Sequence, residues 1–83
     1  MIRILFFARL RDETGESELA LCLPAEVRTV SQLTRYLIGE RPAWSGILDG
    51  RSVLVAVNHN FAQSETPVED GDEIAYFPPV TGG

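Results

Sequence analysis

The sequence predicts an α+β domain in which a mixed sheet of about five strands packs on one main helix. Three observations lead there. Residues with period-two alternation open and close the chain, at Ile2 to Leu10 and at Glu73 to Phe77. One stretch from Val30 to Leu37 switches to spacings of three and four. Between these, Gly, Pro and Asn fall at regular breaks, and they separate short segments rather than long ones.

Taken in order, Ile2, Ile4, Phe6, Ala8 and Leu10 form the core face of a first strand, with Arg3, Leu5, Phe7 and Arg9 opposite. Leu5 and Phe7 make that second face more apolar than solvent alone requires. Arg11 to Gly15 reads as a short helical turn or loop closed by a left-handed glycine. Glu18 to Leu23 alternates again, with Leu19, Leu21 and Leu23 inward and Pro24 as its stop, so the first two strands can form a wide hairpin.

Thr29-Val30-Ser31-Gln32 fits a capping box that starts the helix. Val30, Leu33 and Leu37 define its buried face, and Pro42 ends it near Glu40 by biasing Arg41 out of helical geometry. Trp44 to Gly50 reads as a turn with one helical turn, in which Trp44 and Leu48 close the core. Ser52 to Val57 is β-branched and apolar on both faces, as a central strand is. Asn58-His59-Asn60 is turn chemistry, Phe61 to Gln63 a short return strand, and Glu69-Asp70-Gly71-Asp72 a tight turn before the last strand. The order β-β-α-β-β-β, with parallel first and last strands, is the β-grasp arrangement. It divides the chain into a domain at 1–77 and an extended tail at 78–83.

The totals agree with one small globule. A chain of 83 residues has surface for one core. At this length roughly 60–65% of the unfolded surface is buried on folding. Hydrophobic residues are 45% and charged ones 23%, a globular balance. No apolar run nears the roughly 20 residues that span a bilayer, and the start lacks a secretory pattern, which points to the cytoplasm. A net charge of −5 opposes a nucleic-acid partner. All seven cations are arginine, and the chain has no lysine.

Side chains that carry chemistry elsewhere give little here. Cys22 stands alone in an apolar strand and reads as a small hydrophobe rather than a nucleophile. His59 has no second histidine to share a metal, and the acidic turn at 70–73 lacks the ligand ladder of a calcium loop. No Gly-rich phosphate loop or Ser-His-Asp set is present. The expectation is a protein that is not an enzyme by itself and binds no metal or cofactor.

The end of the chain, Phe77-Pro78-Pro79-Val80-Thr81-Gly82-Gly83, is different. Two prolines stop the strand and send the chain out extended, with less entropy to lose on docking. From Pro78 to Gly83 the reach is at most roughly 20 Å, enough to enter another protein's active site. Gly82 and Gly83 lack Cβ atoms and can thread a narrow channel. A terminal carboxylate with a pKa near ~3.5 is an anion at neutral pH and resists nucleophiles until it is activated.

Phe6-Phe7-Ala8-Arg9-Leu10-Arg11-Asp12 with Gly15, Ala56-Val57-Asn58, Asp70-Gly71-Asp72-Glu73 and the whole C-terminal string together resemble the small, sulfur-carrier subunits of molybdopterin synthases. That resemblance implies a ubiquitin-like β-grasp fold whose Gly83 is adenylated, with ATP, by a partner related to ubiquitin-activating enzymes. It implies conversion of Gly83 to a thiocarboxylate by a sulfur donor protein, and insertion of the tail into a large catalytic subunit within a heterotetramer. There the sulfur passes to cyclic pyranopterin monophosphate in molybdenum cofactor biosynthesis. Phe7, Phe61 and Phe77, with Pro78, Pro79, Val80 and Thr81, become partner-binding residues, and Arg11 a candidate contact that an ion pair with Glu13 or Asp12 explains equally. Sulfur carriers of other pathways (thiamine thiazole, cysteine, tRNA thiolation) and ubiquitin-like protein modifiers remain alternatives.

Overall fold

The computed structural model describes residues 1–49 and 53–79. Five strands form one mixed sheet: β1 (Ile2–Phe6), β2 (Glu18–Leu21), β3 (Leu54–Val57), β4 (Asn60–Ala62) and β5 (Glu73–Phe77). Their spatial order is β2-β1-β5-β3-β4. The first and last strands pair in parallel, Ile4 opposite Ile74 and Phe6 opposite Tyr76, and every other pairing is antiparallel. β3 has strands on both sides, as its apolar run predicts, but β5 takes the middle position.

The helix α2 (Val30–Glu40) begins as its sequence requires. The Thr29 side chain accepts from the Gln32 amide at 3.3 Å, while Gln32 Oε1 accepts from the Arg28 amide at 2.7 Å. The glutamine reaches one residue farther back than in a standard capping box. Val30, Leu33 and Leu37 are buried against Ile2, Ile4, Phe6, Ile74 and Tyr76 in one core. A 3-10 turn (Pro42–Trp44) and a short helix, α3 (Ser45–Leu48), seat Trp44 and Leu48 at its margin, 3% and 4% exposed. Phe6 stacks on Tyr76 with centroids 5.7 Å apart, and meets Trp44 edge-on at 5.2 Å.

Two strand ends differ from the sequence pattern. β1 stops at Phe6, and Leu10 is buried from a helix, α1 (Arg9–Thr14), instead of from the strand. Ala8, expected on the core face, is exposed. α1 closes on Gly15 at φ 78°, the left-handed cap that its glycine predicts. β2 ends at Leu21, short of Pro24, though Leu23 still packs on the core. The β3–β4 connection has positive φ at Asn58 (51°) and His59 (72°), the two-residue turn that suits the twist of a hairpin.

Tyr76 ties the sheet to the helix. Its hydroxyl lies 2.8 Å from Thr34 Oγ1, and Thr34 already donates to the Val30 carbonyl at 3.0 Å. Thr34 therefore accepts, and Tyr76 donates. Burial pushes the Tyr76 phenol up to about 12. A phenol whose ionisation is raised by folding adds stability that is complete below its unfolded value near 10 and is lost as pH climbs toward 12. Urea unfolding of the native protein should therefore lose about 2–3 kcal/mol between pH 10 and 12. Tyr76→Phe should cost about 1 kcal/mol at neutral pH and flatten that alkaline slope. An equally steep slope in the variant would show that other groups set it.

Candidate functional site: the tail exit and the uncovered face of the sheet

Pairing register assigns every strand residue to a face. Ile4, Ile74, Tyr76, Val55, Val57 and Leu19 point to the helix side. Leu5, Ala75, Ala56, Leu54, Phe61 and Phe77 point to the other, which no helix among the described residues covers. Polar and apolar residues are segregated along that open face. Near the start of β1 and β5, Arg3 donates from Nε to Glu18 at 2.9 Å and from Nη1 to Glu73 at 3.1 Å, with His59 Nε2 3.4 Å from Glu73. The Arg3 guanidinium holds the Glu18 carboxyl below its ordinary range, chiefly by hydrogen bonding.

The other end is apolar and lies where the chain leaves the sheet. Phe61 is 80% exposed and Phe7 46%, while Phe77 is half-buried. Phe61 and Phe77 sit with centroids 5.9 Å apart on strands two apart, an approach made possible by the small Ala56 between them. Behind them, on the inner face, the Phe6–Tyr76–Trp44 cluster gives the exit a rigid backing. Pro78 and Pro79 follow directly, Pro78 half-buried and Pro79 exposed. Val80, Thr81, Gly82 and Gly83 lie outside the described residues.

Phe7 is placed by a turn that the sequence does not announce. Leu10 donates to the Phe7 carbonyl at 3.1 Å, and Ala8 between them has φ 55° and ψ −134°. That is the first central position of a type II′ turn, normally glycine. The Phe7 amide donates to the Tyr76 carbonyl at 3.1 Å, extending the parallel ladder by one bond before the chain turns away. The ring of Phe7 therefore stands next to the end of β5. Leu5 was legible as a member of this face from its phase; Leu54, Ala56 and Ala75 emerge only once the register is known.

Residues weighed for other chemistry remain dispersed. Cys22 is exposed, His59 pairs with Glu73, and no cluster among the described residues has metal-ligating composition. Arg11 is exposed, and the Glu13 carboxylate expected near it pairs with Arg9 instead, at 3.2 Å. A groove of about 470 Å³ lies on the helix layer by Ser31, Thr34, Arg35 and Asp49, on the opposite side of the sheet from Phe61. No helix among the described residues is long and apolar enough to cross a membrane.

A small β-grasp module with an apolar open face beside a Pro-Pro exit has the architecture of the ubiquitin-like carriers and modifiers. The comparisons with known proteins sharpen this. Residues 4–83 match the ThiS family model. The molybdopterin synthase sulfur carrier subunit of Escherichia coli is 39% identical, with all of both chains aligned, and that of Haemophilus influenzae is 37% identical over the same extent. Among solved structures, the small archaeal modifier protein SAMP1 of Haloferax volcanii superposes with a TM-score of 0.80 at 28% identity, covering 99% of this chain and 98% of its own. The chain belongs to the ThiS family, among the molybdopterin synthase sulfur carrier subunits.

Strain at Ala8 gives a direct test of the exit turn. Ala8→Gly should raise unfolding free energy by about 1 kcal/mol, the relief of a glycine-like conformation less the entropy glycine adds to the unfolded chain. Ala8→Val should lower it by more. Urea titration of both variants measures this, and a destabilised Ala8→Gly would mean the turn carries no strain.

Proposed function

We propose that the chain carries sulfur on its C-terminal carboxyl group for molybdopterin synthesis. The observation that supports this most is the end-to-end likeness to sulfur carrier subunits in a chain whose last strand leaves the sheet beside an uncovered apolar face. On this reading an adenylating enzyme converts the Gly83 carboxylate to an acyl-adenylate with ATP, which turns a poor electrophile into one with a good leaving group. A persulfide from a sulfur donor protein then displaces AMP, and reductive cleavage leaves a thiocarboxylate.

Gly82 and Gly83 enter the active site of the large synthase subunit, and Gly83 gives up its sulfur to cyclic pyranopterin monophosphate. The protein is the non-catalytic, rechargeable subunit, so the acids and bases of transfer belong to the partner. Phe7, Phe61 and Phe77, with Pro78, Pro79, Val80 and Thr81, dock on that partner, and the aromatic rings supply the anchors. Arg11, exposed on α1 near Phe7, contributes a polar contact at the rim. A second reading, a modifier that forms amides with lysines of other proteins, draws support from the SAMP1 likeness.

Incubation with the adenylating enzyme, ATP and a sulfur donor should increase the intact mass by the replacement of one oxygen with sulfur. Appearance of high-mass amide conjugates instead would favour the modifier, and an unchanged mass would rule out carriage. Deleting Gly82 and Gly83 should abolish charging while leaving the melting temperature unchanged. Phe61→Asp should alter stability by no more than ~0.5 kcal/mol, since the ring is 80% exposed. It should weaken binding of the large subunit by about 2 kcal/mol, roughly thirtyfold, in a calorimetric titration.

A further inference from the structure

An acyl group activated at Gly83 reacts with any accessible neutral amine. The nitrogen attacks the carbonyl carbon, the bond from that carbon to the phosphate oxygen breaks, AMP leaves with the electron pair, and the amine releases one proton to solvent. The amide that results is not reversed by thiols, so a carrier that captures itself is lost to the cycle. Geometry makes such capture a real hazard. The tail spans at most roughly 20 Å from Pro78, and Arg9 stands two residues past Phe7, whose amide is 3.1 Å from the Tyr76 carbonyl.

Every side-chain cation of the chain is nevertheless a guanidinium. Surface ion pairs that a lysine can make are made here by arginine: Arg3 with Glu18 and Glu73, Arg9 with Glu13 at 3.2 Å, and Arg41 with Glu16 at 3.8 Å. Guanidinium stays protonated and delocalised at neutral pH and does not attack acyl groups, whereas a lysine amine retains a reactive neutral fraction. The Met1 amine is hydrogen-bonded to Asp70 at the opposite end of β1 from Phe7, away from the tail exit, and that bond raises its pKa. The exposed Cys22 thiol can form only a thioester, which thiol exchange returns.

Resting on the carrier reading above, we infer that the arginine-only surface leaves the activated Gly83 no side-chain amine on its own fold to acylate, the Met1 amine being tied to Asp70 at the far end of β1. Charge is kept for pairing and solubility while nucleophilicity is removed.

The test places lysine where arginine stands. Native protein, Arg9→Lys and Arg35→Lys are each incubated with the adenylating enzyme and ATP, without a sulfur donor, and read by intact mass after thiol treatment. Parallel samples contain hydroxylamine, which traps the acyl-adenylate as a hydroxamate and reports activation independently; melting temperatures confirm that the variants are folded. The expected result is hydroxamate from all three proteins, no amide from the native chain, and a product one water lighter from Arg9→Lys. At protein concentrations of about 10 µM, a millimolar effective concentration favours that ring over cross-linked dimer on the order of a hundredfold. Arg35→Lys, on the helix layer, should give ring or dimer above the native background. The inference is overturned if the native chain forms stable amide, or if hydroxamate forms while neither lysine variant exceeds the native chain. Absence of hydroxamate from all three overturns it together with the carrier reading.

Discussion

The parallel pairing of β1 with β5 is the constraint on which the remaining structure depends. It brings the two ends of the domain side by side in the interior of the sheet, with Phe6 opposite Tyr76. Because strands that run parallel cannot be joined by a tight turn, the chain between them must cross over, and α2 makes the crossing. The helix then covers one face only. The other face stays open, and the last strand ends in its middle, with β1 and β3 on either side. An open apolar face and the end of the last strand thus adjoin each other as a consequence of topology.

Packing and polarity reinforce that layout from opposite sides of the sheet. Inside, Phe6, Tyr76 and Trp44 interlock, and Tyr76 spends its hydroxyl on Thr34 of α2. Outside, the ion pairs of Arg3 join β2, β1 and β5 at one end, Phe77 and Phe7 occupy the other, and Phe61, level with Ala56 and Ala75, leans its ring toward Phe77. Pairs this exposed contribute little stability. Their chief effect is to set a polar end of the face against the apolar end where the chain leaves the sheet.

Much of the fold was legible in the residues. The Thr29 to Gln32 cap, the helical face of Val30, Leu33 and Leu37, the left-handed Gly15 and the parallel first and last strands all follow from local chemistry that tertiary contacts do not override. The end of β1 was not, because Leu10 falls in phase for both a continuing strand and the helix that replaces it. Alanine at position 8 gives no sign of a II′ turn, as glycine or asparagine would. The aromatic members of the open face could be found from alternation alone. Their small neighbours could not, because Ala56 and Ala75 matter through the room they leave, and room depends on register.

The interior position of β5 also has a mechanical consequence. A pull along the chain beyond Phe77 is directed along the strand axis, across the hydrogen bonds of both flanking ladders. Those bonds are loaded in shear and must give way together. Were the same terminal strand at an edge and peeled sideways, its bonds would break one at a time at far lower force. The module can therefore bear a load applied at Phe77 without coming undone.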